Sequence, residues 1–122
     1  MKVLLIEDED DIRRIAKLSL TRLGGMEVVD AAGGVEGVRR AEEESPDVIL
    51  LDVMMPGLDG PSTLAALRSN PKTASIPVVF LTAKAMPSEI ARLKDLGARG
   101  VLTKPFDPID LPNQVRSALE KH

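Results

Sequence analysis

The chain of 122 residues has no cysteine, no tryptophan and no tyrosine, only two phenylalanines, and a single histidine at its last position, His122. Each shortage excludes some chemistry. Without cysteine there is no disulfide scaffold, thiol nucleophile or thiolate-held zinc or iron–sulfur site. A lone terminal imidazole argues against a Ser-His-Asp hydrolase, a histidine-rich metal site and a histidine phosphodonor. Long apolar runs are missing too. Val3-Leu4-Leu5-Ile6 meets an acidic stretch after four residues, short of the roughly 7–15 of a secretory signal. No run approaches the roughly 18–20 residues of a membrane span. The expected setting is the cytoplasm, away from membranes. Charge of one sign is also lacking: 16 basic against 19 acidic side chains leave −3, no footprint for direct nucleic-acid binding. What remains is an ordinary globular composition, 43% hydrophobic and 29% charged, of a size for one domain over 1–122. Any chemistry must come from carboxylates, hydroxyls, lysine and arginine.

Short apolar runs alternate with helical patterns. Val3–Ile6, Val28-Val29 within Met26–Ala32, Val48–Leu51, Val78–Leu81 and Gly100–Thr103 read as five strands, apolar on both faces as parallel strands are. Between them, Ile12, Ile15, Ala16, Leu20 and Leu23 keep one face of a 3.6-residue period, stopped by Gly24-Gly25. Val35, Val38 and Ala41 make a second stripe, Leu64 and Leu67 a third, Ile90, Leu93 and Leu96 a fourth, and Val115 and Leu119 a fifth. Five βα units predict an α/β fold, a doubly wound parallel sheet with helices on both faces. In such sheets the site lies beyond the C-terminal ends of the strands.

Those ends carry Glu7-Asp8, Asp52, Thr82 and Lys104; the second strand ends in Ala31-Ala32. Three carboxylates in one crevice repel, by about 4 kcal/mol per pair at 4 Å and an effective dielectric near 20. They need a cation or take up protons. Carboxylate oxygens without His or Cys favour Mg²⁺ or Ca²⁺, and three ligands with room for water and phosphate suit Mg²⁺. Asp52, alone after a long buried strand, is the candidate nucleophile, since carboxylates form aspartyl phosphates. Lys104 and Thr82 can neutralise phosphoryl oxygens.

The stretches LLIEDEDDIRRI at 4–15, PDVILLDVMMPGLDG at 46–60, IPVVFLTAKA at 76–85 and LTKPF at 102–106, in this order and spacing, resemble the receiver domain of two-component response regulators. The resemblance implies a flavodoxin-like (βα)5 fold with strand order 2-1-3-4-5. It implies that Asp52 accepts a phosphoryl group from a phosphohistidine on a sensor histidine kinase or histidine phosphotransfer protein. It implies Mg²⁺ held by Glu7, Asp8, Asp52 and the backbone carbonyl of Met54, with Thr82 and Lys104 as the switch hydroxyl and lysine and a cis Lys104-Pro105 peptide. Such a domain acts only on itself, gaining and losing its own phosphoryl group. A homodimer through the face of the fourth helix, fifth strand and fifth helix is a further implication.

Two departures stand out. The usual aromatic three before the lysine is Val101, so no aromatic side chain can rotate with Thr82. The fifth helix contains Pro112, which belongs in a first turn, so a late start with Asp110 as N-cap is expected. Other residues have plainer readings. Glu9, Asp10 and Asp11 suit a helix N-terminus. One of Met54-Met55 is packing. Lys84, Arg13, Arg14 and Lys17 read as solvated, with kinase docking a weaker role for the last three and tuning of phosphoryl lifetime a hypothesis for Met54 and Lys84. Rival functions fit less well. A Mg²⁺-dependent phosphatase with an Asp nucleophile commonly has a second Asp two residues on, where this chain has Met54. A nucleotide-binding domain needs a Gly-rich first loop, where this chain has Glu7-Asp8-Glu9-Asp10. An interaction-only receiver would lack part of the phosphorylation set, and nothing is missing. Met1 leans the expectation toward a free-standing regulator or shuttle over a receiver cut from a larger factor.

Overall fold

A computed structural model describes residues 1–120. Lys121 and His122, including the terminal-histidine reading, lie outside the described residues. The elements run β1 (Lys2–Ile6), α1 (Asp10–Leu18), β2 (Glu27–Ala31), α2 (Gly34–Glu44), β3 (Val48–Asp52), α3 (Gly60–Arg68), β4 (Val78–Thr82), α4 (Pro87–Asp95), β5 (Gly100–Thr103) and α5 (Leu111–Glu120). All strand pairs are parallel, in the order β2-β1-β3-β4-β5, as expected. The order reverses between β1 and β3, which puts the crevice between their C-terminal ends.

Alternation along each strand divides the core. Leu4 and Ile6 join Ile49, Leu51, Val78 and Phe80 under α2, α3 and α4. Val3 and Leu5 join Val48, Leu50, Val79 and Leu81 under α1 and α5. Every residue of β3 and β4 is buried, so these strands rigidly carry the polar residues at their C-terminal ends. Among the described residues no helix is long and apolar enough to cross a membrane.

Three helical expectations need correction. α1 continues as a wide π turn over Ser19–Leu23, closed by the Gly24 amide on the Ser19 carbonyl at 3.2 Å and by Gly25 at φ +65°. Of the predicted face, Ala16 and Leu20 are buried, but Ile15, before the widened turn, is 46% exposed and Leu23, at its end, 61%. On α2 the buried face is Gly34, Gly37 and Ala41, and Val35 points to solvent. Backbone proximity decides this: a Cβ on Gly37 would sit 2.4 Å from Ile6 Cδ1, so only glycine lets α2 lie so close to β1. On α4, Leu93 is buried but Leu96 is exposed. α5 does begin at Leu111, one residue before Pro112. A hydrogen-bonded turn nevertheless precedes it, with the Asp107 carbonyl accepting from Asp110 and Leu111 at 3.0 Å each. The side chain that caps this turn is Asp107, whose Oδ1 accepts from the Ile109 amide at 2.9 Å.

Candidate functional site

Glu7 adjoins the last residue of β1, Asp52 is the last of β3, Thr82 the last of β4, and Lys104 adjoins the end of β5. Parallel register therefore delivers all four to one end of the sheet. Carboxylate oxygens of Glu7, Asp8 and Asp52 lie within 4.8 Å of one another. The Lys104 ammonium reaches between them, 2.9 Å from Glu7 Oε1 and 3.1 Å from Asp52 Oδ1. Glu7 is fully buried and Asp52 nearly so. The Lys104–Pro105 peptide is cis.

Burial pushes the Glu7 carboxyl up to about 7; the bond from Lys104 opposes that shift, and Asp52 adds to it. Burial works against the charge on Lys104, but its bonds to Glu7 and Asp52 win and raise its pKa. One ammonium thus serves two of the three carboxylates, Glu7 and Asp52, and Asp8 has no share in it. Asp8 Oδ1 and Asp52 Oδ2 are buried without any partner. Buried charged oxygens are rarely left orphaned, and hard oxygen donors converging on one point fit a small divalent cation such as Mg²⁺.

Above the carboxylates is a cleft of about 310 Å³ lined by Glu9, Ile12, Asp52, Met54, Ala83, Lys104 and Pro105. Met54 is 66% exposed there, whereas Met55 is buried in the core. The Thr82 hydroxyl is turned onto its own loop, accepting from the Lys84 amide at 3.0 Å. That is the plain strand-end role. Lys84 is exposed, and Val101 is half-buried on β5.

Arg13 departs from its solvated reading. Its side chain is only 19% exposed and pairs with Asp10 and Asp30. It also donates to the Glu7 carbonyl at 2.8 Å. The i, i+3 spacing of Asp10 and Arg13 is visible in the sequence; Asp30 belongs to another strand and is not.

A five-stranded parallel sheet in this order, with acid pair, acid, hydroxyl and lysine at its strand ends, defines a doubly wound α/β domain with an acidic, cation-ready site at its switch point. The family model described as response regulator receiver domain matches residues 3–116; the chain belongs to this family. It is 36% identical over 120 residues to the alkaline phosphatase synthesis transcriptional regulatory protein PhoP of Bacillus subtilis, covering 98% of this chain and 49% of that protein. It is 38% identical to the probable transcriptional regulator ycf27 of Porphyridium aerugineum, covering 98% and 48%. The chain thus spans about half the length of the curated relatives it matches. The chemotaxis response regulator CheY4 of Vibrio cholerae superposes with a TM-score of 0.88 at 33% identity, covering 96% of this chain and 97% of that one.

Proposed function

We propose that Asp52 accepts one phosphoryl group from a phosphohistidine of a sensor histidine kinase or histidine phosphotransfer protein, in a Mg²⁺-dependent reaction in the cytoplasm. The observation that carries this reading is the convergence of Glu7, Asp8 and Asp52 on one point, with two of their oxygens buried and unpartnered. Glu7, Asp8, Asp52 and the Met54 carbonyl would hold the ion. Bound there, Mg²⁺ supplies positive charge against the carboxylates and the phosphoryl oxygens.

The chain's own residues do the rest. An Asp52 oxygen forms the new bond to phosphorus while the P–N bond breaks, and the departing imidazole nitrogen keeps the bonding pair. Lys104, already at Asp52, donates to one phosphoryl oxygen. The Thr82 hydroxyl, whose oxygen accepts from the Lys84 amide, donates its proton to another. Water attack on phosphorus later breaks the P–O bond to Asp52, releasing inorganic phosphate and the free Asp52 carboxylate. The cleft beside Met54 and Ala83 is the approach for donor and water, so Met54 and Lys84 tune the phosphoryl lifetime. Output travels through Thr82 and the backbone of the loops, since Val101 supplies no aromatic ring.

The test is direct. The protein is incubated with a small phosphodonor, with Mg²⁺ or with EDTA, and weighed by mass spectrometry. One phosphoryl group gained only with Mg²⁺, and lost in Asp52→Asn, is the expected result. No gain, or an equal gain in Asp52→Asn, overturns it. Sedimentation with and without phosphorylation tests the homodimer through the α4–β5–α5 face.

A further inference from the structure

We propose that Arg13 is a positioning residue for the metal site, holding the peptide that joins Glu7 to Asp8 in the orientation that lets both carboxylates face one ion. The inference rests on the receiver reading of that site and adds to it a residue outside the ligand set.

The two ligands are neighbours in sequence, which is an awkward arrangement. Successive side chains of an extended chain point to opposite sides. Both can face one point only if the backbone bends between them and stays bent. The peptide group between Glu7 and Asp8 is planar, so its tilt sets both side-chain directions together. That tilt is held from the carbonyl oxygen, which accepts from Arg13 Nη1 at 2.8 Å. The rest of the guanidinium is anchored on both sides. Nη2 lies 2.6 Å from Asp10 Oδ1 at the start of α1, and Nε lies 3.2 Å from Asp30 Oδ2 on β2. Asp30 is steadied in turn by Lys17 at 3.2 Å. The backbone closes the same bend: the Arg13 amide donates to the Glu9 carbonyl at 2.9 Å, and the Glu9 amide to Glu7 Oε2 at 3.2 Å.

One planar fork therefore ties the loop to a helix and to the sheet edge. A guanidinium offers five donors in fixed directions; an ammonium is a point charge and cannot hold three such partners in one plane. Groups that orient metal ligands from outside typically carry about 10–100-fold in metal affinity.

The direction of the effect separates positioning from simple charge. Arg13 is a cation close to a cation site. Its removal would tighten Mg²⁺ binding if through-space repulsion were its only influence. Positioning demands the opposite. The experiment is calorimetric titration of Mg²⁺ into wild type, Arg13→Ala, Arg13→Lys and Lys17→Ala, with a melting curve for each. Lys17→Ala breaks an ion pair to the same Asp30 without touching the loop. The expected result is about 10–100-fold weaker binding in Arg13→Ala, no recovery beyond a part of it in Arg13→Lys, and wild-type affinity in Lys17→Ala. Arg13→Ala binding as tightly as wild type or tighter overturns the proposal, whatever its melting temperature. Arg13→Lys binding like wild type overturns the role of the fork. If Arg13→Ala does not fold, Asp30→Asn decides: a smaller loss of affinity supports the proposal and none overturns it. A wild type that binds no Mg²⁺ overturns the receiver reading itself, a different outcome from a wild type that binds and an Arg13 variant that binds as well.

Discussion

At the scale of single residues, Glu7 shows what the site requires. Its carboxyl has no exposed surface, shares one ammonium with Asp52, and is pushed up to about 7 chiefly by burial. Such a group suits a bound cation and is a poor resident without one. Glu7→Gln keeps the shape and removes the charge. With EDTA present, the variant should be at least as stable as wild type in urea melts above neutral pH, where the raised carboxyl pKa means that the charged form costs folding stability. Added Mg²⁺ should raise the wild-type midpoint and leave that of Glu7→Gln nearly unchanged. A large loss of ion-free stability would show that the Lys104–Glu7 pair is a structural strut. Thr82 makes the complementary point. Its hydroxyl is engaged with the Lys84 amide, so residue type and position mark it for the site while the contact it keeps here is local.

At the scale of elements, β1, β3 and β4 are legible in the sequence because both faces are covered, so apolar runs announce them, whereas the edge strands β2 and β5 are partly exposed and their runs are weaker. β3 extends one residue past its apolar run to include Asp52 itself. The helices are less legible where glycine carries the packing. Hydrophobic periodicity counts Gly34 and Gly37 as blanks, yet they form the closest face of α2, and Val35 is outside. Leu23 is exposed at the end of a π turn that closes onto Gly24 and Gly25, the latter at positive φ, and periodicity carries no sign of that closure. Arg13 reads as solvated in the sequence because its partner Asp30 comes to it from another strand. Gly60 shows how packing reaches the site. A Cβ there would lie 2.6 Å from the Asp52 carbonyl oxygen and 2.8 Å from Val53 Cα, both backbone. Gly60→Ala must push α3 off the end of β3. The expected result is a loss of about 1–3 kcal/mol in chemical denaturation together with slower phosphorylation at Asp52. A variant as stable as wild type would mean that α3 shifts without strain. At the surface, three carboxylates are held below their usual range by hydrogen bonds: Glu42 from Lys72, Glu44 from Lys2 and, within α4, Glu89 from Arg92. A carboxyl with a lowered folded pKa binds protons less readily than in the unfolded chain. Its contribution is whole above about pH 4.5 and fades as pH falls through the folded value. Melting temperature should therefore fall on acidification below that point, and less steeply in Glu44→Gln. Identical acid profiles for the two would assign that pair no share in stability.

At the scale of the whole molecule, rigidity is unevenly spread. β1, β3 and β4 lie inside the sheet, and β3 and β4 are buried throughout. α4 is the opposite case. Leu93 is its only buried residue, its N-cap Met86 makes no side-chain cap, and Leu96 is 45% exposed at its end. α5, by contrast, buries Leu111, Pro112, Val115 and Ala118. Opening free energy tracks buried apolar contact, so local unfolding should begin at the least anchored helix. α4 follows the Thr82–Lys84 loop, which carries the hydroxyl proposed to meet a phosphoryl oxygen. A loosely held helix beside the proposed phosphoryl contact is where a charge added at Asp52 can shift a population. Amide hydrogen exchange read by mass spectrometry checks this. Peptides covering 86–97 should exchange well before those covering 111–120 or 48–52, and phosphorylation should change exchange in 82–97 more than in 60–68. Equal protection of α4 and α5, or a phosphorylation effect confined to the β3–α3 loop, would remove α4 from the signal path and leave the output to the loops around Asp52.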